Sequence, residues 1–433
     1  MHASQTQQIT ITRTGPSHLP AAGPEAPRCR FCAAPLRHTF VDLGMSPLCE
    51  SYVPPDRLGA MEPFYPLHAR VCERCLLVQL EEFVAPEDIF TEYAYFSSYS
   101  DSWVAHARDY VEMAVERFGL DESSQVVEVA SNDGYLLRHV VERGIPALGI
   151  EPAANVAEAA RARGIDTVVE FFGRALAARL IAQGRRADLL AANNVMAHVP
   201  DLNDFAAAME MLLAPRGVVT IEVPHLLRLV EGNQFDTIYH EHFSYFSFLT
   251  ARGVLAAHGL EVFDVDELAT HGGSLRLYAQ RRTTGHRPVE DAVRDLTSRE
   301  LALGFDTLAA HSAFSEQVVA TKHALLEFLI ERRREGARVA GYGAPGKGNT
   351  LLNYCGIRTD LLEYTVDRNP YKQGQFLPGT HIPIRDPEAL ERDRPDYILI
   401  LPWNLRDEIV AQLAPARDWG ARFVVPIPEV EVL

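Results

Sequence analysis

Val126-Val127-Glu128-Val129-Ala130-Ser131-Asn132-Asp133-Gly134 is the stretch on which the fold class turns. A run of strand character passes into small and polar residues and then into a helical pattern. In such a turn the backbone can approach a ligand, and the first N–H groups of the helix point at it. The next strand ends in Gly149-Ile150-Glu151-Pro152, where Glu151 is placed to take the two hydroxyls of a ribose. Acid, turn and second acid in this order form the usual grip on an adenosyl ligand, with Glu128, Ser131, Asn132, Asp133, Gly134 and Glu151 as its candidate residues. Taken singly, Glu128 or Glu151 reads equally well as an exposed strand end. Asn194, after the fourth strand in the run 192–199, lies at the same carboxyl edge and could line the pocket.

Outward from this stretch, strand-like and helix-like runs alternate, the signature of an α/β domain around a parallel sheet. Strands are expected at 126–130, 146–150, 167–171, 187–193 and 217–223, in a doubly wound order, then a strand pair at 261–268 and 274–280. Upstream, Val104, Ala107, Val111, Val115 and Phe118 recur at helical spacing. Downstream, 288–334 keeps helical periodicity, and at Arg338 the pattern resets into a second small α/β unit with strands at 338–342, 362–367, 397–401 and about 422–426. The expected division is a disordered tail (1–27), a small Cys- and Pro-rich module (28–90), the first α/β domain (91–285), a helical connector (286–335) and the second (336–433).

Composition bounds the function. The chain has 433 residues, 47% hydrophobic and 23% charged, which suits a globular protein of several domains. No apolar run approaches the roughly 18 residues that span a bilayer. The first residues lack a basic start followed by an apolar stretch, so a cytoplasmic location is expected, without a membrane partner. A net charge of -17 with no basic run argues against nucleic acid. Nothing marks an obligate protein partner.

Four of the six cysteines come as two C-x-x-C pairs, Cys29 with Cys32 and Cys72 with Cys75. Two such knuckles supply the four soft ligands that tetrahedral zinc prefers, and with all four positions filled by protein the metal is structural. The alternative is a set of reduced, buried thiols.

Residues 235–246, Phe-Asp-Thr-Ile-Tyr-His-Glu-His-Phe-Ser-Tyr-Phe, concentrate titratable and aromatic groups. A His-x-His metal site and a satisfied polar cluster are possible readings. A third is proton removal beside a ketone, with a His oriented by a Glu as base and a Tyr hydroxyl holding the enolate oxygen. A second aromatic run at 93–99 offers Tyr93, or Tyr95 or Tyr99, as a further donor. In the second α/β unit, Gly341-Tyr342-Gly343-Ala344-Pro345-Gly346 followed by Asp367 also satisfies a dinucleotide-binding fingerprint, so an NAD-dependent nucleotide-sugar oxidoreductase is the rival. Lys347 speaks for a diphosphate in either case. An idle scaffold that uses the zinc module to bind a partner is a further reading.

With these residues assembled, the chain resembles the deoxysugar C-methyltransferases: a zinc module, a central S-adenosylmethionine domain of class I (Rossmann-like) fold and a carboxyl-terminal Rossmann-like α/β nucleotide-sugar domain. The likeness rests on the paired knuckles, 128–134, Tyr239-His240-Glu241-His242-Phe243, His271-Gly272-Gly273-Ser274-Leu275-Arg276 and 341–349, in the family's order. It implies His242 as the base, with Glu241 and Tyr239 beside it and Tyr93 from upstream. It implies S-adenosylmethionine and structural zinc as cofactors, and a thymidine diphosphate 4-keto sugar methylated at C-3. Substrate contacts are expected from His240, His271, Gly343, Lys347, Asn349 and Asp367.

Overall fold

The computed structural model describes residues 27–85, 98 and 101–433. The expected tail (apart from Pro27) and Tyr93, Tyr95 and Tyr99 lie outside the described residues. The amino-terminal module is built on strands β1 (His38–Ser46), β2 (Tyr65–Val71) and β3 (Val78–Gln79), joined antiparallel. Their alternation buries Phe40, Leu67, Ala69 and Val78 on one face.

Helix α1 (Asp101–Phe118) leads into the central sheet. Its strands are β4 (Val126–Val129), β5 (Ala147–Ile150), β6 (Thr167–Val168), β7 (Ala187–Asn193) and β8 (Leu213–Pro224). The short strand β9 (Ser244–Tyr245) and helix α2 (Phe248–Ala257) follow, then β10 (Leu260–Leu268) and β11 (Ser274–Arg281). The spatial order is β10-β11-β8-β7-β4-β5-β6, parallel except for β11, which runs against both its neighbours. Strand order reverses between β4 and β7, so the crevice above their carboxyl ends is the natural ligand site. The sixth strand is shorter than its apolar run suggested, ending at Val168 and leaving Phe171 42% exposed.

Strand β9 does not join this sheet. It pairs with β3, Val78 opposite Tyr245 and Gln79 opposite Ser244, and completes the sheet of the amino-terminal module. A module too small to bury a core of its own thus shares one with its neighbours: Phe40, Leu67 and Val78 pack in one cluster with Phe314 and Leu351, while Cys29, Leu36, Cys72 and Leu77 pack with the central sheet.

The connector is helical, as α3 (Asp291–Ala302), α4 (Leu308–Ser312) and α5 (Phe314–Arg334). The last unit carries β12 (Val339–Tyr342), α6 (Gly346–Cys355), β13 (Thr365–Val366), β14 (Ile384–Arg385), β15 (Tyr397–Ile400), β16 (Arg422–Val425) and β17 (Glu431–Val432). Its order, β14-β13-β12-β15-β16-β17, is a doubly wound sheet with an antiparallel edge. Among the described residues no helix is long and apolar enough to cross a membrane.

Candidate active site

Both C-x-x-C knuckles fold alike. Cys29 N–H donates to Ala34 O, and Ala33 N–H returns to Cys29 O; Cys72 N–H donates to Leu77 O, and Leu76 N–H to Cys72 O. Ala33 and Leu76 sit in the left-handed region, at φ 59° and 60°. Such doubled turns converge four sulfurs that lie within 4.8 Å of one another, a set that fits one tetrahedral zinc.

The carboxyl ends of β4 and β7, where the strand order reverses, are the edge at which an open α/β sheet takes its ligand. Ala130 (φ 57°) and Asn132 (φ 50°) hold the turn after β4 in a conformation that lines up backbone N–H groups. Gly134 is required, because a β-carbon there would stand 2.1 Å from Ile165. Buried polar atoms with no hydrogen-bond partner among the described residues collect at this edge: both oxygens of Glu128, Ser131 Oγ, Asn193 Oδ1 and the Asn194 amide. Donors and acceptors left unmatched around a crevice fit a polar ligand such as the amino-acid end of S-adenosylmethionine. Burial, then the charges of Glu151 and Asp133, hold the Glu128 carboxyl well above the usual range. Glu151 accepts from Asn132 N–H and Ala153 N–H, both at 2.9 Å, which fixes the carboxylate while each oxygen keeps a lone pair for a hydroxyl. Asp133 is engaged with Arg163 at 2.9 Å and with Ser98, so it braces the turn.

The segment 239–242 is a tight turn, not a strand. His242 N–H donates to Tyr239 O at 2.9 Å, bringing the two rings to 4.1 Å, centroid to centroid. The middle residues then point elsewhere. Expectation and structure differ on both. Glu241 does not orient His242; its carboxylate accepts from Cys49 Sγ at 3.7 Å, and burial raises its pKa to about 7. His240 faces the zinc module and not the cleft, with Nε2 3.2 Å from Pro66 O and its ring against Tyr65. The His242 ring is oriented by a backbone carbonyl, its Nδ1 lying 3.1 Å from Thr237 O. A carbonyl only accepts, so Nδ1 carries the proton and Nε2 keeps its lone pair. Burial, then neighbouring His198, holds His242 well below its ordinary pKa. His198, which sequence reasoning passed over, packs 4.7 Å from His242; only its place after a sheet strand hinted at it.

The cleft wall beside β11 carries His271, in the left-handed region at φ 55° and exposed, its ring 5.1 Å from Trp103. Trp103 stacks on His106, which with Arg276 is held by the buried carboxylate of Glu222 at 3.1 and 2.8 Å. Lys347 donates to Asn404 Oδ1 at 2.6 Å and lies over the Trp403 ring. Asn349 is turned to a structural use: its buried amide donates to Cys49 O.

The dinucleotide reading of 341–367 meets a different geometry. Tyr52 Oη donates to Ala344 O at 2.6 Å, Lys372 donates to the same oxygen, and Cys49 and Glu50 crowd Gly346, so the amino-terminal module covers the turn. A β-carbon at Gly343 would stand 2.6 Å from Pro402, so this glycine serves packing. Asp367 is bound by Ala344 N–H and Asn369 N–H.

Sheet order, donor crevice and zinc knuckles together define a zinc-carrying, class I S-adenosylmethionine-dependent methyltransferase. The chain belongs to the deoxysugar C-methyltransferase family that its motifs resemble. It is 35% identical, over 94% of its length and 96% of the relative's, to C-methyltransferase NovU of Streptomyces niveus. Family models describe a zinc binding domain (residues 29–90), a methyltransferase domain (103–265) and a C-methyltransferase C-terminal domain (269–428). Among solved structures, magnesium protoporphyrin IX methyltransferase of Synechocystis PCC 6803 with bound SAH is 15% identical over 41% of this chain and 83% of that one, with a TM-score of 0.34. The glycopeptide N-methyltransferase MtfA is 14% identical over 41% and 95%, with a TM-score of 0.33.

Proposed function

We propose that this C-methyltransferase acts at C-3 of a nucleotide-linked 4-keto deoxysugar, a thymidine diphosphate sugar, through an enolate. The observation that carries the reading is the contact of His242 Nδ1 with Thr237 O, which assigns the ring proton to Nδ1 and leaves Nε2 as the nitrogen that takes the proton the ketone acidifies. Tyr239, folded against His242, is placed to hold the enolate oxygen, with Tyr93 as a second donor. His271 and Lys347 face the sugar nucleotide from opposite domains; Gly343 and Asp367 shape the turn that carries Lys347. Glu128, Ser131, Asn132, Gly134, Glu151 and Asn194 hold the donor, which supplies an electrophilic methyl on a positively charged sulfur. The reading keeps three functional units, at 28–90, 91–285 and 336–433, with 286–335 as connector.

The test is incubation with S-adenosylmethionine and a thymidine diphosphate 4-keto-6-deoxysugar in deuterated water, followed by mass spectrometry. Gain of one methyl with hydrogen exchange beside the ketone is expected. Because the methyl takes the place of the C-3 hydrogen, a C-3 deuterium label that survives methyl gain in ordinary water overturns the enolate.

The pH profile separates the two acid–base candidates. A base must be deprotonated, so kcat/KM falls as pH drops through its pKa. His242 predicts a limb below 6.5, because its pKa is lowered by burial; an essential ionised Glu241 predicts a limb near 7. The expected profile is flat from pH 8 to 6.5. In the donor crevice, Glu151→Ala is expected to raise the Kd of S-adenosylhomocysteine by about tenfold or more, the value of a lost hydrogen bond to a charged group. Calorimetric titration checks this, and a Kd within twofold of wild type removes Glu151 from the donor site.

A further inference from the structure

Trp403 is absent from every role assigned above, yet it stands where three of them meet. It follows β15, is 9% exposed, and its indole N–H donates to Asp236 Oδ2 at 2.8 Å. Asp236 is wholly buried in the single helical turn Phe235–Thr237, one residue from the carbonyl that orients His242. The face of the same indole carries the Lys347 ammonium, 4.4 Å from the ring centroid. The ring's outer edge closes on the His271 loop, since a β-carbon at Gly272 would meet it at 2.8 Å. Gln234, which precedes the turn, ties it to the same loop through a 2.8 Å bond to Gly272 O. From helix α6, Thr350 Oγ1 donates to Ile238 O at 3.2 Å, so the carboxyl-terminal domain grips the segment 236–238 at two points.

We propose that Trp403 is a positioning residue that ties the Lys347 side of the cleft to the base, through the Asp236 bond and the backbone of 236–242. The inference rests on His242 being the base. Among the described residues the segment 236–242 pairs with no strand; its backbone–backbone bonds are the turn at 235–237 and the 239–242 closure, and side chains of Thr350, Tyr245 and His198 reach its backbone. A base must lie within hydrogen-bond reach of its proton, and a displacement of about 1 Å costs as much as 100-fold. The bond from Trp403, at a strand end, to the buried Asp236 carboxylate anchors the start of this segment, beside the Thr350 bond to Ile238 O. It also lets Lys347, when it engages an anionic substrate, bear on the same ring that fixes the base.

The experiment compares Trp403→Phe, Asp236→Ala and Asp236→Asn in the full-length protein. Phe keeps an aromatic face for Lys347 and removes the N–H; Asn keeps an acceptor for Trp403 and removes the charge. Steady-state kinetics and hydrogen exchange at the carbon beside the ketone use the thymidine diphosphate 4-keto-6-deoxysugar, and S-adenosylhomocysteine titration and thermal melting report the fold. Expected for Trp403→Phe and Asp236→Ala is a kcat at least tenfold lower, exchange slowed by the same factor, KM for the sugar nucleotide within threefold, and unchanged donor affinity. Asp236→Asn recovers most of the kcat lost in Asp236→Ala. A raised KM with kcat intact makes Trp403 only a platform for Lys347 and overturns the proposal, as does an Asp236→Asn as slow as Asp236→Ala. If Trp403→Phe does not fold, the two Asp236 variants carry the test alone. Wild-type protein that neither exchanges nor methylates this sugar overturns the reading of function and this inference with it, whereas an active wild type with unchanged variants overturns this inference alone.

Discussion

His242→Ala is expected to lower kcat by about a hundredfold or more while S-adenosylhomocysteine binds as before. A general base contributes roughly 10²–10⁴-fold, and Glu241, which faces Cys49, does not stand in for it. Donor binding is expected to be independent of the substitution, because the candidate donor residues hang from the ends of β4, β5 and β7 and Glu151 takes its bonds from Asn132 N–H and Ala153 N–H. Hydrogen exchange beside the ketone sharpens the result. With the base removed, exchange and methylation fall together. If exchange persists at the wild-type rate while methylation falls, proton removal belongs to another group and His242 acts later. Tyr239→Phe should slow both steps less, since it removes one hydroxyl and leaves the ring that packs on His242.

What sequence reading could reach is set by where the information lies. The strands at 126–129 and 187–193 and their adjoining turns are local: apolar periodicity, then small and polar residues, then a helix. The two knuckles are equally local, because a C-x-x-C spacing is itself the geometry. The relation of Glu241 to His242 is not. Adjacent residues suggested a pair, but closure of the 239–242 turn sends them in different directions, and the partner that orients His242 is a backbone carbonyl, which has no residue signature. The same holds for the turn at 343–346. Its glycines satisfy a phosphate-binding pattern, yet their neighbours in space are Cys49, Glu50, Tyr52 and Pro402, all brought by tertiary packing. His198, Glu222 and Asp236 were missed for a related reason, each being a single polar residue at an element end whose meaning comes from what packs against it.

Loss of zinc is expected to abolish turnover, although the Cys29, Cys32, Cys72 and Cys75 site lies in another module from His242. The path is short and made of named contacts. Gln79 donates to Cys29 Sγ at 3.2 Å and accepts from Arg30 N–H at 2.9 Å, which locks the first knuckle to β3. Strand β3 pairs with β9, and Leu80 N–H reaches Phe243 O at 3.0 Å, one residue from His242. Arg30, inside that knuckle, donates to Leu80 O and to Pro200 O and lies over the Phe243 ring, so it clamps the strand beneath His242 and the segment after His198 together. Structural zinc contributes on the order of 10 kcal/mol or more in small zinc folds. Cys72→Ser should therefore carry less than a tenth of the wild-type zinc by atomic absorption, melt at lower temperature and lose methyl transfer. Arg30→Lys separates the clamp from the metal, since Lys keeps the charge and cannot reach both carbonyls in fixed geometry. It should retain zinc and donor affinity and lose about tenfold in kcat and in exchange. Full turnover in zinc-free protein would make the knuckles bystanders, and full turnover in Arg30→Lys would mean that zinc holds the fold without holding the base.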